Sequence, residues 1–412
     1  MSKLSFIDLK YKPTRSDLIC EFYVKPAPKV TLRQASDTIA CESSIGTWTD
    51  IKTLSRSIIR KLKPHVFSIN QNTNIVKIAY PITLFERGNI PQLLSSIAGN
   101  IFGMKLLKSL RLEDIKFPPT YTSAFKGPKY GVRGVRKLLR IRERPILGTI
   151  VKPKLGLSAK QHAKVAYNAW VGGIDAVKDD ENLTSMSFNH FKDRVAATLS
   201  KRDKAEKKTG EKKVYFPNVT AETGEMIRRA EYVRKLGGEY IMVDIITCGW
   251  SSLQALRAAD LGLAIHAHRA GYAALSRNPH HGISMMVIAK LARLIGVDTL
   301  HTGTAGVGKM QNEDTVGINE MLGTRWKGIE TVLPVASGGL YPGAMSKLLK
   351  ILGHDIVAQM GGGIHGNQLG TRAGARAARQ AVDAVMMGLH LNQYASTHKA
   401  LRQAISQWGV QH

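Results

Sequence analysis

In GGIDAVKDDENL, residues 172–183, a lysine closes a short apolar run and three acids follow it at once. The run IDAVK predicts a buried parallel strand, where a lone charge is too costly to keep unless it is paired or used. Strand side chains alternate, so Lys178 and Asp180 share a face, Asp179 points the other way, and Glu181, at the turn, can swing back toward the first two. Two carboxylates on one rim suit a hard cation such as Mg2+, which takes oxygen ligands and keeps positions for water or substrate. A lysine ammonium beside them has no lone pair and the wrong sign for that task. It fits if it is neutral and has added CO2, because the carbamate is then a third anionic oxygen ligand. A structural Lys–Asp ion pair is the competing reading of the segment. Before any conversion the ammonium is expected to pair with Asp180 and Glu181, which stabilise its charge.

The elements that must carry these residues change in character near residue 145. From there, eight short apolar runs alternate with helical patterns: GTIVK (148–152), IDAVK (174–178), VYFPNVT (214–220), YIMVDII (240–246), LAIHAHR (263–269), VDTLHTG (297–303), VLPVASGG (332–339) and DIVAQMGGG (355–363). Eight strand–helix units in about 240 residues predict a (β/α)8 TIM barrel, whose chemistry gathers where strands end at the C-terminal face. The first run ends in Lys152, with Lys154 two residues on, and the second in Lys178, Asp179, Asp180 and Glu181. The fifth ends in His266, His268 and Arg269, the sixth in His301, the seventh in Ser337, Gly338 and Gly339, and the eighth in Gly361, Gly362 and Gly363. Any one of these alone reads most simply as a satisfied strand-end polar group; their convergence on one rim does not. Backbone N–H groups at the two glycine-rich ends can cradle a phosphate. Arg269 and His301 can hold a second one across the mouth. Two anion sites around a metal imply a bisphosphate. HTGTAGVGKM (301–310) is a small-residue loop carrying Lys309, the composition of a closing lid that delivers one cation.

Before residue 145 come a strand-like LICEFYVKP (18–26), a helix-like TLRQASDTI, a strand-like NIVKIAYPITLF (74–85), a helix-like NIPQLLSSIAGNIFG (89–103) and an extended LRLEDIKFP. That order predicts a small α+β, ferredoxin-like domain of the split βαβ type. The domains are expected at 1–135 and, for the barrel with its C-terminal helices, 136–412. The 412 residues are 43% hydrophobic, enough for a sizeable core. No run approaches a membrane span, and the start, MSKLSFIDLKYKP, lacks a secretory h-region, so a cytoplasmic location is expected. Cys20, Cys41 and Cys248 are far apart and lack zinc or disulfide spacing, so they read as reduced and structural.

The anomaly is charge: 59 Lys+Arg against 31 Asp+Glu leave +28. The excess concentrates in KYGVRGVRKLLRIRER (129–144) and KDRVAATLSKRDKAEKKTGEKK (192–213), the latter read as a solvated helix and turn. A basic surface explains this without any nucleic-acid-binding signature, and aromatics are sparse, so nonspecific nucleic-acid contact is not expected to be functional.

GTIVKPKLGLS, GGIDAVKDDEN, HAHRA, HTGTAGVGKM, PVASGG and QMGGG, in that order, resemble the large subunit of ribulose-1,5-bisphosphate carboxylase/oxygenase, RuBisCO. So do ESSIGTWTD (42–50) and SIAGNIFGMK (96–105), and the short C-terminus is most like the archaeal-type form III branch. The resemblance implies a Mg2+ enzyme activated by CO2 as a carbamate on Lys178, with Asp180 and Glu181 completing the metal site. The carbamate takes the C3 proton of ribulose bisphosphate, CO2 (or O2) adds at C2, and hydration and C–C cleavage give two 3-phosphoglycerates. Lys152, assisted by Lys154, is implied as the acid/base group that aids enolisation and protonates the departing product. His268 assists hydration, while Lys309, aimed by Glu42 of a second chain, stabilises the new carboxylate. Asn100, also from that chain, reaches metal and substrate. Thr47, Gly339, Gly361 and Gly362 are implied at one phosphate, Arg269 and His301 at the other, Ser337 at a sugar hydroxyl, and Trp48 and Gly338 as further substrate-binding residues. The implied assembly is a homodimer with shared sites, or several such dimers, with no small subunit assumed.

Departures from the plant pattern are the longer His301–Lys309 spacing, Gln311 in place of an acid, Ile150 in place of a threonine and Tyr272 in place of a histidine. They bear on CO2/O2 discrimination more than on reaction type. A RuBisCO-like enolase or isomerase acting on another phosphorylated sugar or methylthio-ketose typically lacks several of Lys309, Glu42, Asn100 and His268; all four are present here.

Overall fold

The computed structural model of the chain describes residues 4–309 and 313–411, so Gln311 lies outside the described residues. The chain packs as two units. One holds the residues up to Lys126 together with Gly271–Leu294 and Lys327–Ile329; the other holds Gly127–Ala270, Ile295–Trp326 and the residues from Glu330 onward. In chain order the strands are β1 (Asp17–Pro26), β2 (His65–Asn70), β3 (Ile75–Pro81), β4 (Leu107–Lys116), β5 (Ile146–Ile150), β6 (Ala176–Lys178), β7 (Val214–Phe216), β8 (Tyr240–Asp244), β9 (Ala264–His268), β10 (Gly282–Ile283), β11 (Thr299–His301), β12 (Leu333–Ser337) and β13 (Val357–Met360).

In the first unit the sheet order is β10-β4-β1-β3-β2, antiparallel through β4, β1, β3 and β2, with β10 parallel to β4 at the edge. Helices Leu32–Glu42 and Ile90–Ile97 complete the split βαβ pattern. Along β1, Leu18, Cys20, Phe22 and Val24 are buried while Ile19, Glu21, Tyr23 and Lys25 are less so, as one packed face requires. Thr31 and Gln34 close a reciprocal capping box at the start of Leu32–Glu42, which fixes where that helix begins. It ends at Glu42, and Thr47 and Trp48 follow in the next loop. Two strands escape the sequence pattern. β2 is only partly buried, and β10 is two residues long, too short for any period.

In the second unit all eight expected strands are present, in the parallel order β7-β6-β5-β13-β12-β11-β9-β8. The ring closes where Met242 N–H donates to Pro217 O (2.8 Å) and Val219 N–H to Met242 O (3.0 Å). The strands are buried nearly throughout, the consequence of being covered on both faces. The apolar runs overshoot the strands at the rim, where polar and glycine residues leave the ladder. β8 stops at Asp244 because the short helix Ile245–Cys248 begins there.

Much of the first basic stretch is structural. Helix Gly131–Leu139 sets Val135 and Leu139 against Ile146, Ala176, Val214, Tyr240, Ala264, Leu333 and Val357, the first residues of seven barrel strands, and so closes the end away from the rim. The helix and its flanks anchor to acids that precede strands. Tyr130 N–H donates to Asp298 Oδ1 (2.6 Å), Arg136 Nε to Asp355 Oδ1 (2.7 Å), and Arg144 makes a two-pronged bridge to Asp175 (2.6 and 2.7 Å). The second stretch corrects the expectation of a solvated helix. Phe191–Thr209 buries Arg194 and Arg202 beside Val195 and Leu199 on its inner face. The three cysteines are free, and among the described residues no helix is long and apolar enough to cross a membrane.

Candidate active site

The end of β6 carries the central group. Lys178, Asp179 and Asp180 are each buried to within 1% of complete, although two are acids and one a base. Asp179 turns outward, as the alternation requires. Its Oδ2 accepts from Arg194 Nε (3.0 Å) and Asn218 N–H (2.9 Å), its Oδ1 accepts from the Tyr215 hydroxyl, and His162 Nε2 lies 3.1 Å from Oδ1. The His162 contact is an ion-pair distance without hydrogen-bond geometry. Burial alone would raise the Asp179 carboxyl, but Arg194, His162 and Tyr215 outweigh it and hold the group well below the usual carboxylate range.

Inward, the expected pairing is redistributed. Asp180 is taken by Lys152, whose Nζ lies 2.6 Å from Oδ2, while Asn182 donates from N–H (3.2 Å) and Nδ2 (3.0 Å) to Oδ1. Lys178 Nζ instead donates to Asp179 O (2.8 Å) and lies 3.5 Å from Glu181 Oε2 and 3.3 Å from Met242 Sδ. The reason is register: β5 pairs Ile150 with Lys178, which sets Lys152 level with Asp180. Burial pulls the Lys178 ammonium below the usual lysine range against the opposing pull of Glu181, Asp180, Asp244 and Asp179. Glu181 and Asp180 do stabilise the charged form, as expected, but burial acts against them. Desolvation is the larger effect, and it favours the neutral amine.

His268 ends β9, with Nδ1 2.7 Å from Asp244 Oδ1 and Nε2 3.7 Å from Glu181 Oε2. Ala270 N–H also lies 3.2 Å from Nδ1. The shorter contact to a carboxylate, which only accepts, makes Nδ1 the donor and turns Nε2 toward Glu181. Next to it, His266 is completely buried: Nδ1 meets Thr299 Oγ1 (2.8 Å), Nε2 meets His301 Nε2 (2.9 Å), and its ring stacks on Phe216. Arg269 Nη1 is bound to Glu313 Oε2 at 2.7 Å.

Lys309 is exposed in the loop after β11, and its N–H donates to Gly338 O (3.0 Å). A Cβ at Gly339, where φ is +78°, would fall 2.7 Å from Lys309 Cγ; only glycine lets the lid and the end of β12 approach this closely. Ser337 closes β12, and Gly361 and Gly362 open the turn after β13, with the Gly361 Cα facing the Lys152 stem. Lys154 is exposed beyond β5. Glu42, Thr47, Trp48 and Asn100 belong to the other unit, where Trp48 is 86% exposed.

The family model described as the ribulose bisphosphate carboxylase large chain, catalytic domain, matches residues 131–408, and that of the N-terminal domain matches 5–121. The chain belongs to the RuBisCO large-chain family. It is 49% identical over 422 residues to the ribulose bisphosphate carboxylase of Methanosarcina mazei (98% of each chain) and 50% identical over 412 residues to that of Pyrococcus furiosus (98% of this chain, 97% of the other). Among solved structures, the octameric RuBisCO of Pyrococcus horikoshii, crystallised with sulfate, superposes with a TM-score of 0.94 at 47% identity, covering 98% of this chain and 96% of that one. The dimeric archaeal RuBisCO of Hyperthermus butylicus gives 0.91 at 44%, covering 98% of both.

Beyond the RuBisCO motif residues, sequence reasoning missed Asp244 and Asn218. Asp244 carried the same signal as Lys178, a charge ending an apolar run, but the run was read through to Ile246. Asn218 Nδ2 donates to Glu181 O (3.0 Å), and its Oδ1 accepts from Thr220, which in turn accepts from Asp244 N–H (3.0 Å).

The buried Asp179 network predicts a stability effect. Arg194→Met leaves a buried carboxylate without its guanidinium and should destabilise the chain by about 3–5 kcal/mol at neutral pH, read as a lower urea midpoint. A depressed carboxyl contributes stability above the unfolded value, about 3.9, that is lost as pH falls through the folded value. The Met variant should therefore show a flatter loss of stability on acidification than the parent.

Proposed function

We propose that the chain is a ribulose-1,5-bisphosphate carboxylase with oxygenase side activity, working in the cytoplasm as a homodimer or an assembly of dimers. The observation that carries this reading is a fully buried lysine, depressed by desolvation, beside two inward carboxylates on one barrel rim. Among the described residues no three His, Cys, Asp or Glu side chains gather around a cation position. Asp180 and Glu181 offer two oxygen ligands, and an amine at Lys178 can supply a third by adding CO2. The donor set fits Mg2+ on those terms. Asp180, Glu181 and a carbamate on Lys178 would hold Mg2+, which would supply Lewis-acid polarisation for removal of the C3 proton of the bisphosphate.

The remaining work falls to the chain itself. Lys178, once carbamylated, takes the C3 proton. Lys152, whose Nζ lies 2.6 Å from Asp180 Oδ2, would be the proton donor and acceptor at the substrate oxygens and at C2, with Lys154 assisting. His268, locked by Asp244 with Nε2 inward, assists addition of water to the carboxylated ketone. Lys309 stabilises the new carboxylate after the lid closes. Arg269 and His301 hold one phosphate, the Gly338–Gly339 and Gly361–Gly362 turns with Thr47 and Trp48 the other, and Ser337 a sugar hydroxyl. Glu42, Thr47, Trp48 and Asn100 come from the second chain. The exposure of Trp48 and the oligomeric state of the solved relatives support this arrangement.

Purified protein with ribulose bisphosphate, Mg2+ and radiolabelled bicarbonate should form acid-stable labelled 3-phosphoglycerate; no fixation after preincubation with CO2 and Mg2+ would reject the reading. In the same assay Lys309→Ala should lose carboxylation yet still exchange the C3 proton with solvent, because the lid lysine serves the later step.

Shared sites are tested by mixing. Glu42→Ala and Lys178→Ala chains, each inactive alone, should regain activity on subunit exchange, since one of the two sites is then built from intact halves. No recovery despite proven exchange would refute composite sites.

A further inference from the structure

Thr299, His266 and His301 form a chain of contacts that runs from the barrel interior to the rim. Thr299 and His266 are Cα partners across β11 and β9, so the pairing is built into the register. Thr299 Oγ1 lies 2.8 Å from His266 Nδ1, and His266 Nε2 lies 2.9 Å from His301 Nε2. Thr299 and His266 are completely buried and His301 is 6% exposed. Burial, with the positive groups around them, pushes both imidazoles well below the ordinary histidine range, so each ring is neutral and carries one N–H and one lone pair.

Two nitrogens 2.9 Å apart must then be one donor and one acceptor. Only two arrangements of protons satisfy the chain. In one, His266 Nδ1–H donates to Thr299, His301 Nε2–H donates to His266, and His301 presents a bare Nδ1 lone pair. The Thr299 hydroxyl hydrogen then has no acceptor among the described residues, although the group is fully buried. In the other, the Thr299 hydroxyl donates to His266 Nδ1, His266 Nε2–H donates to His301 Nε2, and His301 carries its proton on Nδ1. This second arrangement pairs the donors of Thr299 and His266, the two completely buried groups, and leaves only a hydrogen on His301, at the rim end of the chain. Nδ1 is also the ring nitrogen of His301 with no partner among the described residues, so its hydrogen is the one free for a ligand.

We propose that Thr299 and His266 are positioning residues that hold His301 in its Nδ1–H tautomer, so that it meets a substrate phosphate as a hydrogen-bond donor. The phosphate contact rests on the carboxylase reading; the tautomer rests on the buried hydrogen-bond chain alone. The opposite tautomer would aim a lone pair at the anion. Neither residue needs to touch substrate, and Phe216, stacked on His266, keeps the relay ring in plane.

The test uses the full chain labelled with 15N-histidine, with long-range proton–nitrogen spectra recorded without substrate on the parent, Thr299→Val and Thr299→Ser, alongside kinetics with ribulose bisphosphate. In the parent, His301 should be the Nδ1–H form and His266 the Nε2–H form. The Val variant keeps the shape but removes the donor. It should move His301 toward Nε2–H and raise KM for the bisphosphate about tenfold with kcat changed less than about threefold, while Ser restores both. A parent His301 protonated on Nε2, or a Val variant with unchanged tautomer and KM, overturns the inference. If the Val variant fails to fold, the parent spectrum still decides. Absence of carboxylation by the parent would refute the proposed reaction, whereas Nε2–H His301 in an active parent would overturn this inference alone.

Discussion

The site depends on one costly placement, a lysine side chain sealed at the end of β6 whose one carboxylate contact among the described residues is Glu181 at 3.5 Å. Desolvation there exceeds the attraction of four acids nearby, because Asp180 is held by Lys152, Asp179 faces outward to Arg194, and Glu181 stands 3.5 Å off. Each of these diversions has a structural cause. The β5–β6 register brings Lys152 to Asp180, strand alternation turns Asp179 away, and the break after β6 leaves Glu181 half-free. A lysine surrounded by acids would ordinarily be a fixed cation; here burial pulls its ammonium below the usual lysine range, toward the neutral amine.

The rest of the rim follows the same logic of holding a polar group through a partner that does not itself reach the mouth. Asp244 fixes His268, Asn218 and Thr220 fix the loop after β7 against Glu181 and Asp244, and Thr299 and His266 stand behind His301. Preorganisation of this kind reduces the reorganisation needed when charge develops on a substrate. At the opposite end, helix Gly131–Leu139 and the Arg144–Asp175 bridge absorb part of the basic surplus into the barrel's closure, so those cations have a structural role.

Sequence legibility divided along physical lines. Lys178, Asp180 and Glu181 stood out because a charge inside a period-two apolar run is expensive, and the eight runs were visible because a parallel sheet covered on both faces must be apolar. Asp244 was hidden by the isoleucines of the following short helix, which extended the apolar run beyond the strand. The redirection of Asp180 to Lys152 and the Thr299–His266–His301 chain depend on interstrand register, which no single strand encodes. β10, two residues in a segment grouped with the first unit, carried no periodic signal at all. The buried face of Phe191–Thr209 was masked because its inner positions include Arg194 and Arg202, whose charges are satisfied by Asp179, Asp203 and Glu239.

The central claim is that Lys178 is placed to become an anion. It is tested most directly by incubating the protein with 13CO2 and Mg2+, trapping any carbamate by methylation and locating the label by peptide mass. The account predicts label on Lys178 in proportion to active sites, dependent on Mg2+ and faster at alkaline pH, where more of the amine is neutral. Fully active protein with an unmodified Lys178 would contradict it and return the lysine to the part of an ion-pair partner.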